Sequence, residues 1–193
     1  MIFESHAHYD DEAFDPDRRE VLAGLPQKGV GLVVDPGCTL TSSEKAIALA
    51  AEFPHVYAAV GLHPKSPLAL AERYPFIYAA VGVHPDEVGE LNEENFAWME
   101  EQCRNPKTVA VGEIGLDYYW DKENHDLQKE WFIRQLDLAR KKEKPVIIHS
   151  REAAADTMEI MKEYASGLRG VIHCYSYSAE MAKEYVKMGN YIG

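Results

Sequence analysis

Pro145-Val146-Ile147-Ile148-His149 is a short apolar run that ends on a histidine. Arg151–Ala165 follows directly, with Met158 and Met161 on a helical stripe and Gly167 just past its end. A strand that is apolar on both faces, followed by an amphipathic helix, is the signature of a parallel sheet covered by helices. The same unit recurs in both directions along the chain. Strands are predicted at Ile2–Ser5, Val30–Val34, Val56–Leu62, Ile77–Val83, Thr108–Ile114, Val146–His149, Gly170–Cys174 and Tyr191–Gly193. Between them lie helical patterns. Thr41-Ser42-Ser43-Glu44 reads as a capping box ahead of Ile47, Leu49 and Phe53. In Asp126–Lys144, Leu127, Trp131, Phe132, Leu136 and Ala139 trace one face, and Lys141, Lys142 and Lys144 complement the C-terminal dipole. Ala179–Met188 is a further helix, stopped by Gly189. This alternation means an α/β fold, either a (β/α) barrel or an open doubly wound sheet.

The composition agrees with one globular domain spanning 1–193. Of the 193 residues, 46% are hydrophobic and 27% charged, which excludes disorder and collagen-like structure. Thirty-two acidic against 20 basic residues give a net charge of −12, so electrostatic wrapping of nucleic acid is disfavoured while a local cationic site is not. Cys38, Cys103 and Cys174 are too few and too scattered for a disulfide framework. With no basic-then-apolar leader and no bilayer-length apolar run, the expectation is a cytoplasmic protein with no membrane contact and no obligate protein partner.

Residues 46–64 and 67–85 are an internal repeat. Eleven of the 19 aligned positions are identical, including Tyr57-Ala58-Ala59-Val60-Gly61 with Tyr78-Ala79-Ala80-Val81-Gly82, and His63-Pro64 with His84-Pro85. Two copies do not make a solenoid; this is a duplicated helix end, strand and loop.

The chemistry-bearing residues gather at strand ends. His6-Ala7-His8 closes the first strand with two imidazoles on one side. Glu113 is expected at the end of Thr108–Gly112, where a carboxylate is costly unless paired or metal-bound. His149 and His173 end two later strands. Taken singly, each reads more simply as a hydrogen-bonded polar residue. All five at the C-terminal ends of four strands match the face where (β/α) barrels assemble their active sites. Four imidazoles and one carboxylate form a mixed set suited to Zn²⁺, Mn²⁺ or a similar divalent ion.

Phe3-Glu4-Ser5-His6-Ala7-His8-Tyr9-Asp10, Val83-His84-Pro85, Gly112-Glu113-Ile114-Gly115-Leu116-Asp117-Tyr118, Pro145 to Arg151 and His173-Cys174-Tyr175-Ser176 together resemble the TatD family of metal-dependent deoxyribonucleases, in family order. The resemblance implies a TIM-type barrel with one or two divalent ions (Zn, Mg or Mn) and hydrolysis of DNA phosphodiesters. Carried over by motif, His6 and His8 hold one metal, Glu113 bridges and acts catalytically, and His149 and His173 complete the coordination. His84 matches a histidine beside the substrate, and Arg151 is a phosphate contact on charge alone. Tyr118, Tyr119 and Trp120 are available for stacking on DNA ends, or for ordinary packing.

The chain departs from that pattern in two places. Family members carry a late aspartate, whereas Cys174–Gly193 offers only Glu180 and Glu184. Asp35 ends a predicted strand at the correct side but lacks motif support. The repeat adds a unit that the family has once, with His84 preferred over His63. The expectation is therefore a barrel incomplete or distorted toward its C-terminal end, lacking its last units. Two other readings stay open: a related hydrolase cleaving amides or lactones, and a truncated metal-binding chain without activity.

Overall fold

The computed structural model describes residues 2–4, 7–37, 40–60 and 78–193. The chain forms two compact units, Met1–Ala79 and Ala80–Gly193.

In the first unit, β1 (Ile2–Glu4), β2 (Val30–Gly37) and β3 (Val56–Val60) make a parallel sheet in the order β1-β2-β3. The helices α1 (Arg18–Gly24) and α2 (Leu40–Glu52) belong to the same unit. Its core is Leu22, Leu25, Val33, Leu49 and Val56. Gly29, at φ +87°, turns the chain from a 3₁₀ turn at Pro26–Lys28 into β2, a conformation that costs L-residues a steric penalty. β2 runs three residues past the predicted Val34, which puts Asp35 inside the strand, opposite Ala58. The side chains of the predicted capping box lie outside the described residues.

From the unit boundary onward, β4 (Ala79–Ala80), whose second residue opens the second unit, β5 (Thr108–Asp117), β6 (Val146–Arg151), β7 (Gly170–Ile172) and β8 (Tyr191–Ile192) are hydrogen-bonded in that order. The pairs β5-β6, β6-β7 and β7-β8 are parallel, as the alternation predicts. The helices α3 (Glu93–Gln102), α4 (His125–Lys141), α5 (Ala154–Tyr164) and α6 (Ala179–Lys187) complete the unit. Val111, Ile114 and Leu116 of β5, Phe132, Leu136 and Ala139 of α4, Ile148 of β6, Met161 of α5, Ile172 of β7 and Tyr185 of α6 share one core. Burying a side chain such as Phe132 contributes about 1.5–3 kcal/mol. No helix among the described residues is long and apolar enough to cross a membrane. Cys103 and Cys174 are free thiols.

Two features of the second unit set up the site. The first is a bulge in β5. Val111 faces Val146 and Ile114 faces Ile148, so three steps on β5 oppose two on β6. Glu113 therefore sits in this irregularity rather than at the strand end predicted for it, and β5 continues to Asp117. The second is a pair of amides on the apolar face of α4. Gln128 is fully buried and Gln135 1% exposed, although the periodicity marks Leu127, which is half-buried, for that stripe. Gln128 Oε1 accepts from the Asp117 N–H at 2.9 Å and its Nε2 donates to the Asp117 carbonyl at 3.0 Å. Gln135 does the same for Val83, at 2.8 and 3.3 Å. Each amide satisfies a backbone N–H and carbonyl that burial would otherwise leave without a partner on that side of the strand.

Candidate metal centre

Glu113 Oε1 is the point on which three imidazoles of the second unit converge. His149 Nδ1 lies 2.8 Å away, His173 Nε2 contacts the same oxygen, and His84 Nε2 is 3.7 Å from it. His149 Nδ1 and His173 Nε2 are 3.2 Å apart. The strands explain the convergence. His149 pairs with Gly115 inside β6, two residues short of Arg151. His173 follows the last residue of β7, its N–H bonded to the Ile148 carbonyl at 3.0 Å. His84 follows Val83, which Gln135 clamps.

Asp117 is the residue that motif reading left without a role. It is fully buried, and its Oδ2 lies 2.9 Å from His149 Nε2. Its Oδ1 accepts the N–H groups of Tyr119 and Trp120 at 2.9 and 2.8 Å. The signal was present: a carboxylate inside an apolar run raises the same question of compensation as Glu113. Because both oxygens are engaged, Asp117 fits an orienting role. The His149 Nε2–H donates to it, so with an ion bound Nδ1, the nitrogen that faces Glu113, would be the one left to ligate.

The electrostatics follow from this packing. Burial alone would raise the Glu113 carboxyl, but hydrogen bonds from His149 and His173 and their charge outweigh it and hold the group well below the usual carboxylate range. Burial lowers His149, and the opposing bonds from Glu113 and Asp117 win, so its pKa is raised. His84 is pushed down to about 4 by burial and then by His149, whose ring lies edge-on at 4.4 Å. His84 is thus neutral at physiological pH.

One ligand atom each from Glu113, His149 and His173 lie within 4.8 Å of one another, as do those of His84, Asp117 and His149. Two imidazole nitrogens and a carboxylate oxygen are the donor set of Zn²⁺ and Mn²⁺ sites, so these residues fit a divalent ion. Of the other residues predicted for the site, His6 and the repeat's His63 lie outside the described residues. His8 is in the first unit, with Nδ1 3.4 Å from Asp10 Oδ1. Arg151 ends β6, and its guanidinium lies over the Tyr119 ring at 4.0 Å and 5.4 Å from that of Trp120.

Comparison with known proteins decides what kind of protein carries this arrangement. Residues 3–67 and 65–193 match TatD-related DNase, the two stretches meeting between the two copies of the repeat. The chain belongs to the TatD-related DNase family. Within it, the chain is 37% identical over 193 residues to YabD of Bacillus subtilis, an uncharacterized metal-dependent hydrolase, covering all of this chain and 68% of that protein. It is 32% identical over 182 residues to the 3'-5' ssDNA/RNA exonuclease TatD of Edwardsiella piscicida, covering 93% and 62%. The crystal structure of YjjV, a TatD homologue from Escherichia coli, superposes with a TM-score of 0.66 at 30% identity, over all of this chain and 67% of that one. The phosphotriesterase homology protein of E. coli shares the fold alone, with a TM-score of 0.58 at 14% identity over 98% of this chain and 68% of that one. The TatD-family chain spans about two thirds of the length of the curated relatives it matches. It is an α/β protein of the TIM-barrel hydrolases and a member of a family of metal-dependent hydrolases.

Proposed function

We propose that this TatD-family chain hydrolyses phosphodiester bonds of DNA, using one or two divalent ions. The observation that carries this reading is the convergence of His84, His149 and His173 on one oxygen of Glu113. Glu113, His149 and His173 would hold an ion, and His6 and His8 would hold a second. A bound divalent ion supplies an acidified water and charge for the phosphoryl transition state. Everything else falls to the chain's own residues.

Glu113, ionised across the physiological range, supplies negative charge to the metal set and is the catalytic carboxylate. Asp117 keeps His149 in the tautomer that presents Nδ1. His84 is neutral and half-exposed beside Glu113, so it can donate or accept a hydrogen bond at a substrate oxygen without carrying charge. Arg151 contacts the phosphate backbone, and the exposed Tyr119 and Trp120 rings beside it offer faces to an unstacked base. The local charge of the ions lets a protein of net charge −12 hold a polyanion. A cytoplasmic setting suits both the substrate and the free thiols.

A panel of single-stranded DNA, amides and lactones, each assayed with Mn²⁺, Mg²⁺ or Zn²⁺ and again after chelation, tests the reading. Metal-dependent turnover of DNA is expected. Turnover of lactones or amides with none of DNA would overturn it, as would bound metal with no turnover of any substrate.

A further inference from the structure

The two strands that deliver His149 and His173 both run into backbone that non-glycine residues rarely adopt. Glu152, just past β6, sits at φ +53°, and Cys174, next after His173, at φ +47°. Such residues persist only where their surroundings over-determine them. One hydroxyl ties the two turns together. The Tyr177 oxygen, from the segment between β7 and α6, accepts the Ala153 N–H at 3.2 Å. Its own proton is left for Ser150 Oγ at 3.0 Å. Ser150 Oγ in turn lies 2.8 Å from Oγ1 of the fully buried Thr157 on α5.

The helix α5 has no side-chain cap of its own. Its N-cap is Ala153, so the Tyr177 oxygen brings an acceptor to this helix start from another segment. The other end of the bridge reaches β6. Neighbouring side chains on a strand point to opposite faces, so a fixed Ser150 sets the faces of His149 before it and Arg151 after it. His149 is held in any case by Glu113 and Asp117. Arg151 is not held in that way. Its guanidinium rests on the Tyr119 ring, and among the described residues no hydrogen bond or ion pair fastens it. Its aim therefore depends on the backbone between Ser150 and Ala153, the two residues that Tyr177 grips.

We propose that Tyr177 is a positioning residue that fixes the 150–153 turn and with it the aim of Arg151 at an anionic phosphodiester. The proposal rests on the nuclease reading for what Arg151 meets, but not for the turn itself. Tyr177 touches neither substrate nor ion. It acts through Arg151, and so on substrate affinity rather than on the metal centre.

The test uses Y177F, which removes the hydroxyl and keeps the ring, in the full chain. The probe is a fluorescent single-stranded phosphorothioate oligonucleotide in Mn²⁺, followed by anisotropy. Y177F should bind it about fivefold more weakly than wild type. In an R151A background the same substitution should change affinity by less than about twofold, as expected of a group that acts through Arg151. In heteronuclear NMR without ligand, Y177F should shift the Arg151 Nε–H signal and speed exchange of the Ala153 amide by at least about fivefold. Circular dichroism checks folding; if Y177F does not fold, S150A cuts the same bridge from β6 and decides by the same thresholds. Equal weakening in both backgrounds overturns the proposal, as does Y177F binding within about twofold of wild type. If wild type does not bind the probe, the nuclease reading falls; then, or if R151A abolishes binding, the NMR arm decides alone. An Arg151 signal that stays in place overturns the proposal, and one that moves sustains it.

Discussion

Asp117 Oδ2 and His149 Nε2 are 2.9 Å apart in a site where Asp117 is fully buried. That bond decides which nitrogen of His149 is left to ligate an ion beside Glu113. In D117N the side-chain oxygen stays with the Tyr119 and Trp120 N–H groups, and the amide nitrogen turns its protons toward His149. Nε2 must then accept, so Nδ1 carries the proton and loses its ligand character. Metal affinity at the Glu113 centre should fall by about 10–100-fold, read by calorimetric titration of Zn²⁺. Unchanged affinity would assign Asp117 a purely structural part.

Gln128 should matter to stability more than a helix amide ordinarily does. Q128L keeps the volume but strips the Asp117 N–H and carbonyl of their buried partners. A loss of about 2–4 kcal/mol is expected in urea unfolding, from two unsatisfied backbone groups. A change below about 0.5 kcal/mol, the usual range for a surface site, would mean that water replaces the amide.

These two residues show where sequence reading stopped. The Val146–His149 strand, the helix through Trp131 and Phe132, and the gathering of Glu113, His149 and His173 were all legible. Each rests on apolar patterning that burial enforces locally. Gln128 and Gln135 look like breaks in the stripe of α4 because their partners are strand backbone, distant in sequence. Asp117 went unassigned because its role depends on the bulge at Glu113, which resets the register of everything after Val111. Asp35 was judged by motif alone, and its burial beside Asp10 is a tertiary fact. The helices α1 and α3 were not anticipated; α1 is seven residues long, and α3 buries only Met99.

Glycine requirements differ sharply within the second unit. Gly115, at φ +146°, passes so close to β6 that a Cβ would stand 1.9 Å from the His149 carbonyl oxygen. G115A should cost at least about 3 kcal/mol and displace His149, combining strain with a backbone clash. Gly167, at φ +81°, has nothing within 4 Å of a built Cβ, so G167A should cost only about 1–2 kcal/mol. Thermal unfolding of both variants checks the ranking, and equal losses would contradict it.

Asp156 sets a pH signature away from the metal centre. Its Oδ2 accepts from the Tyr118 hydroxyl and from Lys129 Nζ, both at 2.6 Å, and these contacts lower its pKa. A depressed folded-state pKa contributes stability that is complete above the unfolded value of about 3.9 and is lost as pH falls through the folded value. The stability difference between wild type and D156N should therefore be flat near neutrality and shrink only below about pH 4. A difference that instead grows on acidification would contradict the sign.

Anomalous X-ray diffraction from crystals soaked in Zn²⁺ or Mn²⁺ tests the central claim most directly. The account predicts a peak within about 2.0–2.3 Å of a Glu113 carboxylate oxygen, His149 Nδ1 and His173 Nε2, with His149 Nε2 still on Asp117. A saturated crystal with no peak there, or one whose ion is held through His149 Nε2, would contradict it.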